Sequence, residues 1–103
     1  MSSEIKVFRP SGILDSLNGA ELRRGVNDAI ASGARTILIN CQDVTFMDSS
    51  GLGALVMILK SIRAVKGKLA LCSIIDQIQI LLELTSMDKV FQIFPNQEAF
   101  EHK

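Results

Sequence analysis

Short apolar runs and segments of helical periodicity take turns along this chain from one end to the other. Thr36–Cys41 reads Thr-Ile-Leu-Ile-Asn-Cys, the nearly continuous apolar run of a strand buried on both faces. Lys68–Ser73 is a second such run, and Val90–Phe94 is a last short one. Between them lie helical stripes. Leu22, Val26, Ala29 and Ile30 form the first, with Asn18 and Glu21 in the positions of a capping box and Gly33 as the stop. Ser50–Ala64 follows a polar turn, with Leu52, Leu55, Val56, Leu59 and Ile62 on one face and Gly67 at its end. Ile75–Leu84 is a third helix, and Asn96–His102 a terminal one after Pro95. Before them all, Glu4–Arg9 alternates like an edge strand and stops at Pro10. Strands that alternate with helices pair in parallel, because each crossover helix returns the chain to the same end of the sheet. The expected fold is α/β, a single layer of mostly parallel sheet with helices packed on it. Neither an internal repeat nor a linker is read, so residues 1–103 are expected to form one domain.

Composition narrows the function. Eleven basic residues balance eleven acidic ones, which gives no electrostatic footprint for direct nucleic-acid or membrane binding. Five Phe and no Trp or Tyr leave few platforms for stacking bases. Met1–Pro10 mixes Glu4, Lys6 and Arg9 with apolar residues, unlike a signal peptide. The longest apolar stretch, Gly51–Leu59, is far below the roughly 20 residues of a membrane span. Cys41 and Cys72 sit inside apolar runs, as buried reduced thiols do, and would form a redox pair only if their strands are neighbours. A cytoplasmic location is expected.

One segment carries chemistry. Asp43–Leu55 follows a strand and leads into a helix: Asp-Val-Thr-Phe-Met-Asp-Ser-Ser-Gly-Leu-Gly-Ala-Leu. In open α/β sheets, sites gather at the carboxyl ends of strands, and a helix N-terminus presents free N–H groups and partial positive charge. Asp48, Ser49 and Ser50 are suited to cap that helix, and a well-made cap is one sufficient account of the pattern. A P-loop is excluded, since no Gly-Lys-Ser/Thr follows the glycines. Serine hydrolase chemistry is excluded too: the Gly-x-Ser-x-Gly elbow is missing, and the one histidine, His102, lies next to the chain end. A serine here could instead accept a phosphoryl group from a separate kinase. The phosphate adds about −1.5 to −2 charges beside Asp48, changing the surface while the fold persists.

At these residues the chain resembles the STAS-domain family, and within it the bacterial anti-sigma factor antagonists. The resemblance rests on Phe46-Met47-Asp48-Ser49-Ser50-Gly51-Leu52-Gly53, with Thr36–Cys41 before it and Lys68–Ser73 after it. Gly12-Ile13-Leu14-Asp15 is similar to the family's Gly-x-Leu-Asp turn, and Leu81–Met87 to its late helix and turn. The match runs from about Gly12 to Phe94. It implies that Ser49 is phosphorylated by an anti-sigma factor that is itself a serine kinase. The unphosphorylated form would bind that kinase and free a sigma factor, and a phosphatase would reset Ser49. By the same resemblance, Asp15, Asp48, Ser49, Ser50, Gly51 and Leu52 would lie on or beside the kinase-facing surface, with Ser50 capping the helix or tuning the polarity of the interface. The family usually carries a two-stranded hairpin before the Gly-x-Leu-Asp turn. Here at most one good strand fits before Gly12, so a shortened N-terminal strand region and an open edge are expected, which a homodimer could cover.

Remaining features have plainer readings. Met47, Met57 and Met87 are gap-filling core or interface residues, and Phe91, Phe94 and Phe100 close the core. Lys60, Arg63, Lys66 and Lys68 read as a solvated helix end, and Glu21, Arg23, Arg24 and Asp28 as an exposed face. No cofactor or metal site is expected, and no nucleophile–base pair can be assembled, so the chain is not read as an enzyme. Two other functions stay open: a nucleotide- or anion-binding sensor using the same helix N-terminus, and a constitutive structural subunit of a signalling assembly.

Overall fold

The structure, a computed structural model, describes residues 5–102. Six strands and four helices follow one another as β1 (Ile5–Phe8), β2 (Ser11–Leu14), α1 (Ser16–Ala31), β3 (Thr36–Asn40), β4 (Asp43–Met47), α2 (Ser49–Ala64), β5 (Lys68–Cys72), α3 (Asp76–Leu84), β6 (Gln92–Phe94) and α4 (Gln97–Glu101), with a 3₁₀ turn at Met87–Lys89. The expected α/β architecture is present. β1, β3, β5 and β6 form one sheet in that order, and every pairing in it is parallel. Glu4, the expected start of the first strand, lies outside the described residues.

The sheet is covered on both faces, which is why its central strands are apolar throughout. Ile37, Ile39, Leu69 and Leu71 face the main core with α1, α2 and α3. Leu38, Ala70 and Cys72 face the other way, onto Phe100 of α4 and the adjoining Phe94. The Phe94 and Phe100 rings meet edge-on at 5.3 Å. Asn40, the one buried polar side chain among the described residues, accepts from the Gln42 N–H and donates to Gln97 Oε1 at 3.1 Å, which ties α4 to β3. Cys41 and Cys72 do come from neighbouring strands, since the Cys41 N–H donates to the Cys72 carbonyl. Their side chains nevertheless belong to opposite faces of the sheet, so they are two separate buried thiols.

Two segments depart from the sequence reading. The resemblance implies a turn at Gly12–Asp15, and a polar turn is expected before Ser50, yet Ser11–Leu14 and Asp43–Met47 are strands β2 and β4 and pair in parallel as a second ladder. A bulge skips Thr45 between the pairs Gly12↔Val44 and Ile13↔Phe46, and Gly12 supplies the positive φ of 75° at that irregularity. The start of α1 also moves. Asp15, rather than Asn18, is the N-cap and accepts from the Asn18 N–H at 3.0 Å, while the Asn18 side chain turns back to donate to the Ile13 carbonyl. β2 runs straight to Leu14, so the helix must start at once, and the first side chain able to cap it is Asp15.

An internal repeat is present as well, contrary to the sequence reading. α1 and α2 both have 16 residues, both start directly after an Asp cap, and Ser16 stands 33 positions before Ser49. Leu22 and Leu55, Val26 and Leu59, Ala29 and Ile62 are buried equivalents at that offset. Both helices are followed by a left-handed residue, Gly33 at φ 108° and Lys66 at φ 62°, before β3 and β5 begin. Two β–Asp–α–β units therefore lie side by side, and few identical residues betray them.

The contact between the units sets two glycines. A Cβ on Gly19 would approach the Ala54 Cβ to 2.8 Å, and one on Gly51 would run into the Leu14 carbonyl. We predict that Gly51→Ala destabilises the protein by about 1–3 kcal/mol, because overpacking against backbone outweighs the ~1 kcal/mol helical preference for alanine. An unchanged urea midpoint would show that α2 can slide.

A second prediction concerns alkali. Burial, with Cys72 adding to it, pushes the Cys41 thiol up to about 12 from 9.0. A thiol raised by folding leaves stability untouched below the unfolded value and erodes it as pH climbs towards the folded one. Stability should fall between pH 9 and about 12 less steeply in Cys41→Ala than in wild type, as read from denaturation midpoints across that range.

Candidate functional site

The β2–β4 ladder ends in two helix N-termini placed next to each other. Leu14 pairs with Met47, and one residue further the Asp48 N–H donates to the Leu14 carbonyl at 3.2 Å. Asp15 caps α1 as Asp48 caps α2, the latter accepting from the Gly51 N–H at 2.9 Å. Ser49 is therefore the first residue of α2 and not its cap, and its side chain is exposed with no hydrogen-bond partner. As in any helix, the first amides, here those of Ser49 and Ser50, have no acceptor within the helix. The resulting surface offers a free hydroxyl, uncommitted N–H groups and two half-buried carboxylates that already serve the backbone.

Of the six residues expected at a partner surface, Ser49 and Ser50 are exposed, and Asp15 and Asp48 are half-buried. Gly51 and Leu52 are buried. Gly51 lets α2 sit against β2, and Leu52 packs into the core while bordering an open groove. That groove, of 690 Å³, runs between α1 and α2 towards Thr85 and Met87; Ser16, Arg23, Ser49, Ser50 and Met57 also line it.

Two contributors were not anticipated. Gln77 of α3 grips Met47 from both sides: its Oε1 accepts from the Met47 N–H at 2.8 Å and its Nε2 donates to the Met47 carbonyl at 2.7 Å. This side-chain amide pairs with the end of β4 as a neighbouring strand would, and so fixes the residue that precedes Asp48. The one signal in the sequence was a polar residue beside the buried Ile78; nothing local says that its partner lies 30 positions upstream. The second contributor is apolar surface. Ile13 and Phe46, register partners in the ladder, are 51% and 46% exposed, and Leu17 is 71% exposed. Such side chains clustered at one end of a fold mark a surface fitted for contact. Arg9 and Asp43 close the ladder's other end with a 2.9 Å ion pair, too exposed to add much stability.

Gln77→Ala should cost about 1–3 kcal/mol, the usual penalty for leaving partly buried backbone groups unpaired. It should also speed hydrogen exchange at the Met47 amide. Glu in place of Gln restores an acceptor but no donor, and should rescue the amide only.

Comparisons with known proteins fit this geometry. The pattern of the STAS domain family matches residues 2–99. The anti-sigma-B factor antagonist of Staphylococcus aureus (strain NCTC 8325 / PS 47) is 31% identical over 90 residues, covering 87% of this chain and 81% of that protein. The crystal structure of TM1081 from Thermotoga maritima superposes with a TM-score of 0.84 at 32% identity, over 93% of this chain and 84% of that one. Unphosphorylated SpoIIAA shares the fold at a TM-score of 0.75 and 23% identity, over 99% and 92% of the two chains. With its pattern matched over nearly the whole length and its fold shared, the chain belongs to the STAS domain family.

Proposed function

We propose that this chain is an anti-sigma factor antagonist, a protein-binding switch thrown by phosphorylation of Ser49. In its unphosphorylated form it binds an anti-sigma factor that is also a serine kinase, and thereby releases a sigma factor. Phosphate on Ser49 ends that binding, and a phosphatase restores it. The observation that carries the reading is the division of labour at α2: Asp48 makes the cap, and Ser49 stands exposed beside it with a hydroxyl that the fold does not use. Relatives named as anti-sigma F and anti-sigma-B factor antagonists support it, as does a SpoIIAA structure in a phosphorylated form. No helix among the described residues is long and apolar enough to cross a membrane.

Magnitudes favour a change of surface over a change of fold. The helix N-terminus favours a phosphate by about 0.3–1 kcal/mol. Two like charges about 6 Å apart repel by roughly 0.7–3 kcal/mol, between the water-like and protein-surface limits. The helix N-terminus thus offsets part of the repulsion in the isolated protein, and what is left is small beside the stability of a typical domain. A docked partner, in contrast, has to desolvate the new dianion and meets a reversed local field.

Incubation with ATP and an anti-sigma serine kinase from the same organism should place phosphate on Ser49, seen by peptide mass spectrometry and lost in Ser49→Ala. That variant should keep binding the kinase in calorimetry, whereas Ser49→Asp should bind more weakly. Since Ser49 is not the cap, Ser49→Ala should change stability by less than about 0.5 kcal/mol, while Asp48→Ala loses ~1 kcal/mol. Equal affinity of the phosphorylated and unphosphorylated proteins would overturn the switch.

A further inference from the structure

We propose that Arg23 is the counter-ion of the Ser49 phosphate: once Ser49 is modified, the Arg23 guanidinium closes on the new dianion inside the groove between α1 and α2. The proposal rests on the reading of Ser49 as a phosphorylation site. Its basis is an unused charge. Arg23 is the one charged residue among those that line the 690 Å³ groove. It is half-buried, yet among the described residues it forms neither an ion pair nor a hydrogen bond. All five guanidinium N–H donors are therefore uncommitted.

Helix geometry directs this side chain towards Ser49. Ser16, Ala20 and Arg23 stand at i, i+4 and i+7 on one face of α1, and Ser49, Gly53 and Met57 line the groove from one face of α2. The two helices start at one level, because Leu14 and Met47 are register partners. Arg23 lies about 10 Å further along α1 than Ser16, at 1.5 Å per residue. Side chains on a helix lean towards its N-terminus, so the long Arg23 side chain runs back down the groove towards the level of Ser49. The lining along that path is small. Ala20 and Ala54 end at Cβ, and a Cβ on Gly53, one turn above Ser49, would meet nothing within 4 Å.

The surroundings leave the role to Arg23. On the third side of the groove Met87 is uncharged, and the Thr85 hydroxyl donates back to the Leu81 and Leu82 carbonyls. The charged groups at the two helix starts are the carboxylates of Asp15 and Asp48, each already accepting from an amide. A phosphate on Ser49 thus meets two fixed anions and one free cation, whose planar fork can hold two phosphate oxygens at once. Closure changes what a partner finds. The unmodified groove offers a free guanidinium, and the modified one a net charge of about −0.5 to −1.

The test uses the full chain with phosphoserine installed at position 49 by stop-codon suppression, so that no kinase is needed. Phosphorus NMR then follows the second ionisation of the phosphate in wild type, Arg23→Gln, Arg23→Lys and Arg24→Gln. Removing the counter-ion in Arg23→Gln should raise that pKa by about 0.5–1 pH unit, and Arg23→Lys, which keeps the charge without the fork, should raise it less. Arg24 is exposed and outside the groove lining, so Arg24→Gln removes the same charge and should leave the pKa at the wild-type value. Melting curves of the unphosphorylated proteins should coincide. An equal pKa in wild type and Arg23→Gln, or an equal rise in Arg24→Gln, would overturn the clamp and leave the Ser49 switch standing. Failure of the switch shows elsewhere, as absence of phosphate on Ser49 after incubation with ATP and the kinase.

Discussion

Everything at the functional end of this protein depends on the short parallel ladder between β2 and β4. It contains four pairs of residues, yet it starts two helices at the same level from the ends of neighbouring strands. Helices normally pack 8–10 Å apart. Bringing their first turns together off adjacent strands requires residues without side chains at the crossing, and Gly19 and Gly51 stand there. The small residues in the Ser-Ser-Gly-Leu-Gly segment are thus demanded first by packing. Exposure of Ser49 follows from that packing.

The same arrangement separates roles that one residue could have combined. Carboxylates make both caps, which leaves the serines free of any structural duty. A modifiable residue that also capped its helix would loosen the helix whenever it was modified. Here the charge can change while the hydrogen bonds that define the first turn persist. Gln77 extends this rigidity to the strand before the site, through two hydrogen bonds to one residue. Preorganisation of this kind lets a local charge act on a partner and not on the chain's own fold.

Much of the architecture was legible in the sequence because β3 and β5 are buried on both faces and read as unbroken apolar runs. The stripe of α2 was equally plain. β2 and β4 were hidden for a physical reason. The bulge at Thr45 places the buried residues of β4, Val44 and Met47, three apart instead of two, and β2 buries only Leu14 while containing a glycine at positive φ. Neither offers the period of two by which strands are recognised. Asn18 drew attention as a cap because it stands three residues before Glu21, but the strand before it ends early enough for Asp15 to act first. At the site, Ser49 and its neighbours could be picked out from local pattern. Gln77, Ile13 and Leu17 could not, since their roles arise from contacts or exposure that only the assembled fold defines. The repeat escaped notice because its two copies agree in burial and backbone far more than in residue identity.

Three of the four ladders join residues about a third of the chain apart: Ile5 with Thr36, Ser11 with Asp43, Thr36 with Lys68; the fourth joins Ala70 with Gln92. Among the described residues no two strands pair antiparallel, and even the consecutive strands β5 and β6 pair in parallel. The described residues therefore contain no local hairpin from which a sheet could begin to form, and every strand pairing among them must wait for closure of a loop of roughly twenty to thirty residues. Helices can form within microseconds on their own, but the sheet that aligns them is assembled from distant partners, the class of topology that folds slowly for its size. Until β2 and β4 have met, Ser16 and Ser49 are far apart on an unorganised chain, and the groove that both line exists only in the completed fold.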